Sequence, residues 1–162
     1  MDAIKLLTQQ HRQLEQALGQ ALKVDRPEGR AEALERIADD LGKHIASEER
    51  VFYPAVRARR TEDILLESLE EHLSLKRLLA DLLELEPTAE TWQPKLKVLD
   101  EQTRHHHEEE EEHLFPKVKK ICTEDELDAL GHEMLACQAA LVHAGEERAA
   151  VVEQIDEAAP LK

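Results

Sequence analysis

Two stretches of the chain each place a glutamate four residues after a histidine. The pairs are His44 with Glu48 and His106 with Glu110. Residues four apart lie on one face of an α-helix, with Cβ atoms about 5–6 Å apart. An imidazole and a carboxylate placed in this way can hold one metal ion or two adjacent ions. Each pair is therefore a candidate for one half of a metal centre.

The surroundings of the two pairs repeat along the chain at an offset of 62 residues. In both stretches an aromatic residue and then a proline follow the histidine, the prolines being Pro54 and Pro116. A second repeat, at an offset of 61 residues, relates His11 to His72. These repeats indicate a duplicated helical hairpin. In each half, the first helix carries one histidine and the second helix carries a histidine–glutamate pair.

The histidines and glutamates of both repeats fall on the apolar stripes of their helical patterns, so folding would bury them. Leu41 and Ile45, for example, flank His44. Burying an unpaired imidazole or carboxylate costs a few kcal/mol or more per group. A metal cluster in the interior would account for all six side chains together. The predicted ligands are His11, His44, Glu48, His72, His106 and Glu110.

The chemistry of this ligand set restricts the metal. Neutral imidazoles with two carboxylates suit iron, manganese or zinc better than calcium or magnesium, which prefer oxygen ligands. Six ligands for two ions also leave positions open for a small molecule. Taken alone, each motif has a simpler explanation. His11 and His72 could face solvent, and the histidine–glutamate pairs could be ordinary helix-stabilising pairs. The duplication favours the metal centre.

The run His105-His106-His107 leaves one alternative open. Helical periodicity places His107 on the apolar stripe about as well as His106. The internal repeat, counted back from the proline, selects His106. We then expect His105, His107 and His113 to lie outside the ligand set or to face solvent. Which of these three, if any, supplies a fifth imidazole stays open.

Five helical patterns position these residues. The first is capped by Asp2 and ended by Pro27 with Gly29, and the second continues toward Ala58. The third has Thr61 as its N-cap and stops before Pro87. The fourth starts at Thr88 or Thr91 and reaches Ile121. A capping box of Thr123 and Glu126 begins a shorter fifth helix. The prolines Pro54 and Pro116 lie inside helical patterns, where each should remove a backbone hydrogen bond and kink the helix.

Short connections between long helices favour antiparallel neighbours. The predicted fold is all-α: an antiparallel up-down four-helix bundle over residues 1–122, with an additional C-terminal helix and tail over residues 123–162 packed on it in the same domain. Aromatic residues make up only 2% of the chain, which argues against an all-β fold.

Composition restricts the partners and the compartment. A net charge of −15 argues against nucleic acid or an anionic membrane surface as a partner. No apolar run approaches the roughly 18 residues that a membrane helix needs. Cys122 and Cys137 give neither a disulfide framework nor a zinc spacing, so the expected compartment is the cytoplasm. We expect a monomer or a homodimer.

These motifs resemble those of the hemerythrin-like family, also called HHE cation-binding domains, over roughly residues 1–121. The resemblance implies an antiparallel four-helix bundle around two non-haem iron ions with an oxo or hydroxo bridge. It implies that Glu48 and Glu110 bridge the ions and that the four histidines are terminal ligands. The oxygen carriers of the family use five histidines with two carboxylates, whereas only four histidines are placed here.

The resemblance also implies a function. The chain is expected to bind dioxygen or nitric oxide at the interior site, as a sensor, a store or a scavenger. The alternative is an enzyme-like role in the repair of iron–sulfur centres or in the turnover of peroxide or nitric oxide. No catalytic residue is predicted, because no general acid or base with a suitable second carboxylate is evident. Enzyme activity is therefore the less favoured expectation.

Overall fold

The computed structural model describes every residue from Met1 to Lys162. Helix accounts for 78% of the chain and no strand is present, which confirms the all-α class. No helix combines the length and the apolarity needed to cross a bilayer. The α-helices are α1 (Ala3–Ala21), α2 (Pro27–Ser47), α3 (Tyr53–Val56), α4 (Glu62–Glu84), α5 (Trp92–Glu109), α6 (Phe115–Ile121), α7 (Glu124–Ala144) and α8 (Ala149–Val152).

Two π-helical turns join α2 to α3 and α5 to α6, at Glu48–Phe52 and Glu110–Leu114. Pro54 and Pro116 follow these turns at the second residue of α3 and of α6. A proline ring clashes with the carbonyl four residues before it. A turn closed over five residues moves that carbonyl aside. The predicted kinks therefore take the form of widened turns.

Two helix starts follow the predicted capping. The side chain of Asp2 accepts a hydrogen bond from the N–H of Lys5 at 2.9 Å and caps α1. Thr123 and Glu126 form the complete capping box of α7. Both caps satisfy N–H groups that would otherwise lack a partner at the helix start.

Other predicted boundaries were wrong. Pro27 does not end α1, which stops at Ala21, but begins α2, where a proline needs no N–H partner. Gly29 accordingly lies inside α2. The second pattern ends at Val56 rather than near Ala58.

Thr61 precedes α4 as predicted, but its side chain does not cap the helix. Its hydroxyl donates to the carbonyl of Val56 at 2.8 Å and accepts from the N–H of Ala58 at 2.9 Å, so it closes the preceding turn. The fifth helix is not short either: α7 has 21 residues, as many as α2. It continues until Gly145, whose φ of 68° supplies the left-handed residue that ends many helices.

Four long helices form a closed ring of contacts: α1 touches α2 and α5, and α4 touches the same two helices. The helical runs 3–21, 27–56, 62–84 and 92–121 each contribute to two buried apolar clusters. The first apolar cluster includes Leu14, Leu18, Ile37, Leu41, Leu75, Leu79, Trp92 and Leu99. The second apolar cluster includes Leu7, Phe52, Tyr53, Leu65, Leu69, Leu114, Phe115 and Val118. Helix α7 packs on α1 and α2, and α8 packs on α2 and α4.

Candidate metal centre

A band of polar side chains lies between the two apolar clusters. It contains all six residues predicted as ligands, and each of them is at most 2% exposed. Helix α1 supplies His11, α2 with its π-helical turn supplies His44 and Glu48, and α4 supplies His72. Helix α5 and the second π-helical turn supply His106 and Glu110. The fold therefore brings together the six side chains selected from the sequence.

Each glutamate lies between two imidazoles from different helices. Oε1 of Glu48 lies 3.3 Å from Nε2 of His44 and 3.3 Å from Nε2 of His72. Oε1 of Glu110 lies 3.1 Å from Nε2 of His11 and 3.5 Å from Nε2 of His106. The donor atoms of His11, His44 and the two glutamates lie within 4.8 Å of one another, as do those of Glu48, His72 and His106. The geometry offers two adjacent sites, which we call the His11/His44 half-site and the His72/His106 half-site.

The outer nitrogen of each histidine has a hydrogen-bond partner. Nδ1 of His11 lies 2.9 Å from a carboxylate oxygen of Glu111, and Nδ1 of His44 lies 2.8 Å from the amide oxygen of Gln10. On the other side of the centre, Nδ1 of His72 lies 2.9 Å from Glu49, and Nδ1 of His106 lies 2.8 Å from Glu71. Each of these partner oxygens can accept a hydrogen bond from Nδ1–H, which leaves the Nε2 lone pair for a cation. Histidines that bind metals commonly have this kind of support.

The sequence analysis missed these four outer partners, although the repeat contains a signal for them. Gln10 and Glu71 each precede a predicted ligand histidine, and they occupy equivalent positions of the two halves. Glu49 and Glu111 each follow a predicted ligand glutamate, again at equivalent positions. Applying the repeat to the neighbours of the ligands would have identified them.

Tyr53 closes the inner side of the centre toward the second apolar cluster. Its hydroxyl donates to Oε2 of Glu110 at 2.9 Å and lies 3.2 Å from Nε2 of His72. Its ring is fully buried and stacks on the ring of His72. The tyrosine thus orients one glutamate and one imidazole of the centre.

Of the three remaining histidines in this region, His105 and His113 lie outside the centre, with side chains 63% and 57% exposed. His107 is 1% exposed, and its donor atom lies within 4.8 Å of those of His11 and His44. Its ring nevertheless stacks on that of His11, with centroids 3.8 Å apart and planes 10° apart. Because a ring nitrogen binds a metal in the plane of its ring, two parallel rings cannot share one ion. His107 is therefore placed as a packing partner of His11 rather than as a second ligand to the same ion.

Several donor atoms that face the interior of the centre have no hydrogen-bond partner within the protein, and a cation would suit them. Nε2 of His11 and of His44, both carboxylate oxygens of Glu48 and Oε1 of Glu110 are buried and have no hydrogen-bond partner. Leaving a buried polar atom unpaired costs about 1–3 kcal/mol. Imidazole nitrogens and carboxylate oxygens are donors that iron, manganese and zinc accept. A metal would therefore satisfy these atoms.

Burial and charge set the protonation of the centre. Burial and the charge of Glu110 raise the pKa of Glu48 well above its usual range. Burial, reinforced by the charge of His11, holds the pKa of His44 well below its usual range, and burial also lowers the pKa of His72. Burial opposes protonation of His11 too, but attraction to the nearby carboxylates of Glu110 and Glu111 outweighs burial and raises its pKa. Without a cation, the raised pKa of Glu48 favours its protonated form.

Comparisons with known proteins give one family match and one similar fold. The profile of the Hemerythrin HHE cation binding domain family matches residues 2–118. No curated protein matches the chain at a significant level. Among solved structures, the chain is similar to a hemerythrin HHE cation binding domain-containing protein, the Rv2633c homolog from Mycobacterium kansasii. That similarity has a TM-score of 0.78 and 21% identity, and it covers 94% of this chain and 98% of that chain. At this identity the likeness concerns the fold alone.

Proposed function

Because the chain belongs to the hemerythrin HHE cation-binding family, we propose that it holds two iron ions and binds dioxygen or nitric oxide beside them. The observation that carries the proposal is the position of the two glutamates. Glu48 lies between His44 and His72, and Glu110 lies between His11 and His106, so each spans both half-sites. Two ions could thus share both carboxylates while each keeps two imidazoles of its own.

The proposed residue roles follow from this arrangement. His11 and His44 would hold one ion, His72 and His106 the other, and both glutamates would contact the pair. Two divalent ions carry four positive charges, of which the two carboxylates neutralise two. When bound, iron supplies an open coordination position and electrons for a diatomic molecule. The protein residues keep the centre closed: Tyr53, Phe52 and Phe115 form an apolar wall, each at most 3% exposed, that excludes water on that side.

We also propose that the four long helical runs form an antiparallel bundle. Residues 3–21 and 62–84 pass from the second apolar cluster to the first, whereas residues 27–56 and 92–121 pass in the opposite direction. The closed ring of contacts and the short connections support the same arrangement. An alternating bundle brings four helix midpoints to one level, which is where the polar band lies.

The metal part of the proposal is tested by metal analysis of the chain after anaerobic reconstitution with Fe(II). We expect two irons per chain, and a clear loss of iron in Glu48→Ala and in Glu110→Ala, since each removes a donor from both half-sites. The control is His132→Ala, because His132 is exposed on α7 and its one hydrogen bond is to the carbonyl of Asp128. Equal iron content in the three variants and the wild type would contradict the assignment.

The diatomic ligand is tested by rapid mixing of the reduced iron-loaded chain with dioxygen and, separately, with nitric oxide. We expect a new absorption band that reverses when the gas is removed. Rapid irreversible oxidation with repeated turnover would instead favour the enzyme-like alternative. A loaded chain that reacts with neither gas would contradict the binding of a diatomic ligand while leaving the metal centre in place.

A further inference from the structure

The segment after residue 118 lies outside the part of the chain that matches the family, yet it reaches the candidate metal centre. Helix α7 packs against α1 and α2 and carries Gln138, which is 5% exposed. This side chain hydrogen-bonds to both Gln10 and Ser47. Gln10 in turn holds the outer nitrogen of His44 at 2.8 Å. A glutamine of the C-terminal helix thus stands two hydrogen bonds from a predicted ligand.

Hydrogen bonds link Ser47, Gln138, Gln10 and His44 in that order, and Ser47 determines which group donates in each of them. The hydroxyl of Ser47 donates to the carbonyl of His44 at 2.8 Å, so its oxygen is left to accept. Nε2 of Gln138 donates to that oxygen at 2.9 Å and to Oε1 of Gln10 at 3.0 Å. Oε1 of Gln138 accepts from Nε2 of Gln10 at 2.8 Å. Gln10 is thereby turned so that an acceptor oxygen faces Nδ1 of His44.

Among the four histidines, only His44 has an outer partner that does not by itself determine which ring nitrogen carries the proton. The outer partners of His11, His72 and His106 are glutamates, and a carboxylate only accepts hydrogen bonds. Such a partner fixes the proton of its histidine on Nδ1 without further help. The amide of Gln10 can present either an acceptor or a donor, so its rotation decides which ring nitrogen of His44 carries the proton.

We propose that Gln138 is a positioning residue of the metal centre, which acts through Gln10 to hold the proton of His44 on Nδ1. The Nε2 lone pair then faces Glu48 and the His11/His44 half-site. If the amide of Gln10 reversed, His44 would carry its proton on Nε2, where a cation needs a lone pair. The consequence for metal binding rests on the proposed function, whereas the tautomer is a property of the metal-free chain.

The tail supports the other half-site in a similar way. Lys76 is 1% exposed, donates to Oε1 of Glu49 at 3.0 Å and contacts Oε1 of Gln154. Oε2 of Glu49 accepts from Nδ1 of His72 at 2.9 Å. The segment beyond the matched domain therefore reaches one histidine of each half-site. This placement is what a segment that positions the ligands requires.

The first test is nitrogen NMR of the histidine side chains in the metal-free, full-length chain at neutral pH, where the two neutral tautomers give different patterns. In the wild type we expect His44 to carry its proton on Nδ1. In Gln138→Met, which keeps the size of the side chain but removes its donors, we expect a mixed or reversed tautomer. Gln138→Asn withdraws the amide by one methylene and should have the same effect, so it serves if the first variant does not fold.

The second test is rescue. Gln10→Glu replaces the reversible amide with an acceptor, so the double variant Gln10→Glu with Gln138→Met should return His44 to the Nδ1–H tautomer. Affinity for Fe(II), measured by competition with a chelator, should fall by roughly 10-fold or more in Gln138→Met and recover in the double variant. The matched control is Gln16→Met, because Gln16 is exposed on α1 and has no side-chain hydrogen bond in the fold.

The outcomes separate this inference from the proposed function. An unchanged His44 tautomer in both Gln138 variants would overturn the inference, whatever the metal content. A changed tautomer that Gln10→Glu does not rescue would show a general packing role for Gln138 and would also overturn it. If the wild type itself bound no iron, the proposed function would fail, while the tautomer measurements would still decide whether Gln138 positions His44.

Discussion

Glu48 is the residue on which protonation and metal binding compete most directly. It is fully buried between His44 and His72, and both of its oxygens lack a hydrogen-bond partner. Burial and the charge of Glu110 raise its pKa well above the usual range. We therefore expect the metal-free chain to hold a proton there at neutral pH, and a bound cation to displace it. Calorimetric titration with a divalent ion, in two buffers that differ in heat of ionisation, should show proton release.

Substitution identifies the source of this proton. Glu48→Gln carries no titratable proton, so it should release about one proton fewer per chain on binding and should bind more weakly. The control is Glu112→Gln, since the side chain of Glu112 is 70% exposed and lies outside the centre. Proton release that is the same in the wild type and in Glu48→Gln would show that Glu48 is ionised before the metal arrives.

The sequence identifies the inner residues of the centre better than the residues behind them. Spacing and duplication select all six side chains that meet in the polar band, because a ligand face repeats with the helix. Gln10 and Gln138 could not be paired in this way, since their contact joins α1 to α7 and depends on how the fifth helix docks. His107 shows the same limit: periodicity predicts its burial, but only the structure shows its ring stacked on His11.

At the scale of the elements, the helices were predictable and their interruptions were not. The two prolines indicate a disturbance after each histidine–glutamate pair, but they do not say whether the helix bends or widens. In the structure the N–H of Tyr53 donates to the carbonyl of Glu48, and that of Phe115 to the carbonyl of Glu110. Each bond spans five residues, which brings the aromatic residue round to the side of the glutamate. The first widened turn thus places Tyr53 where its hydroxyl reaches Glu110, and the second places Phe115 where its ring stacks on that of His11.

The docking of the C-terminal segment on α2 depends on a close approach at Gly42. A Cβ atom at this position would lie 2.0 Å from the carbonyl oxygen of Glu147 and 3.2 Å from Cγ2 of Val151. Since backbone must move to relieve the first contact, Gly42→Ala should lower the free energy of unfolding by about 1–3 kcal/mol, despite the better helix propensity of alanine. Urea unfolding of the metal-free chain measures this change.

Gly19→Ala is the matched control for that substitution. Gly19 also lies in a helix, but the nearest atom to its added Cβ would be Nη2 of Arg104 at 3.6 Å, an ordinary contact. Without a clash, the lower conformational entropy of alanine should raise the free energy of unfolding by about 0.5–1 kcal/mol. Equal effects of the two substitutions would argue against a tight contact between α2 and the segment before α8.

At the scale of the whole molecule, two apolar clusters enclose a polar band, so the stability of the metal-free fold depends on the protons in that band. Burial lowers the pKa of His44, His72 and His107, whereas an unfolded histidine titrates near about pH 6.5. Below that pH the unfolded chain binds protons that these folded histidines do not. Glu48 acts in the opposite direction, because burial raises its pKa and the native state holds a proton that the unfolded carboxyl lacks above about pH 4.5. His11, whose pKa the nearby carboxylates raise, acts like Glu48 near pH 6.5 and holds a proton in both states at lower pH. Three groups against two leave the unfolded state with more protons as the pH falls below about 6.5.

Acid should therefore destabilise the metal-free protein well before its surface carboxylates titrate. Stability rises with pH wherever the unfolded state binds more protons, so the free energy of unfolding should fall from about pH 6.5 to about pH 5. Each neutral buried histidine contributes up to about 1.4 kcal/mol per pH unit to this slope. His107→Phe keeps a ring beside His11 but removes one such group, and should make the slope shallower by about that amount. Urea unfolding across this range measures both slopes. A stability that stays flat or rises on acidification would mean that the buried imidazoles are already protonated in the native fold, and a band of charged imidazoles could not receive a cation.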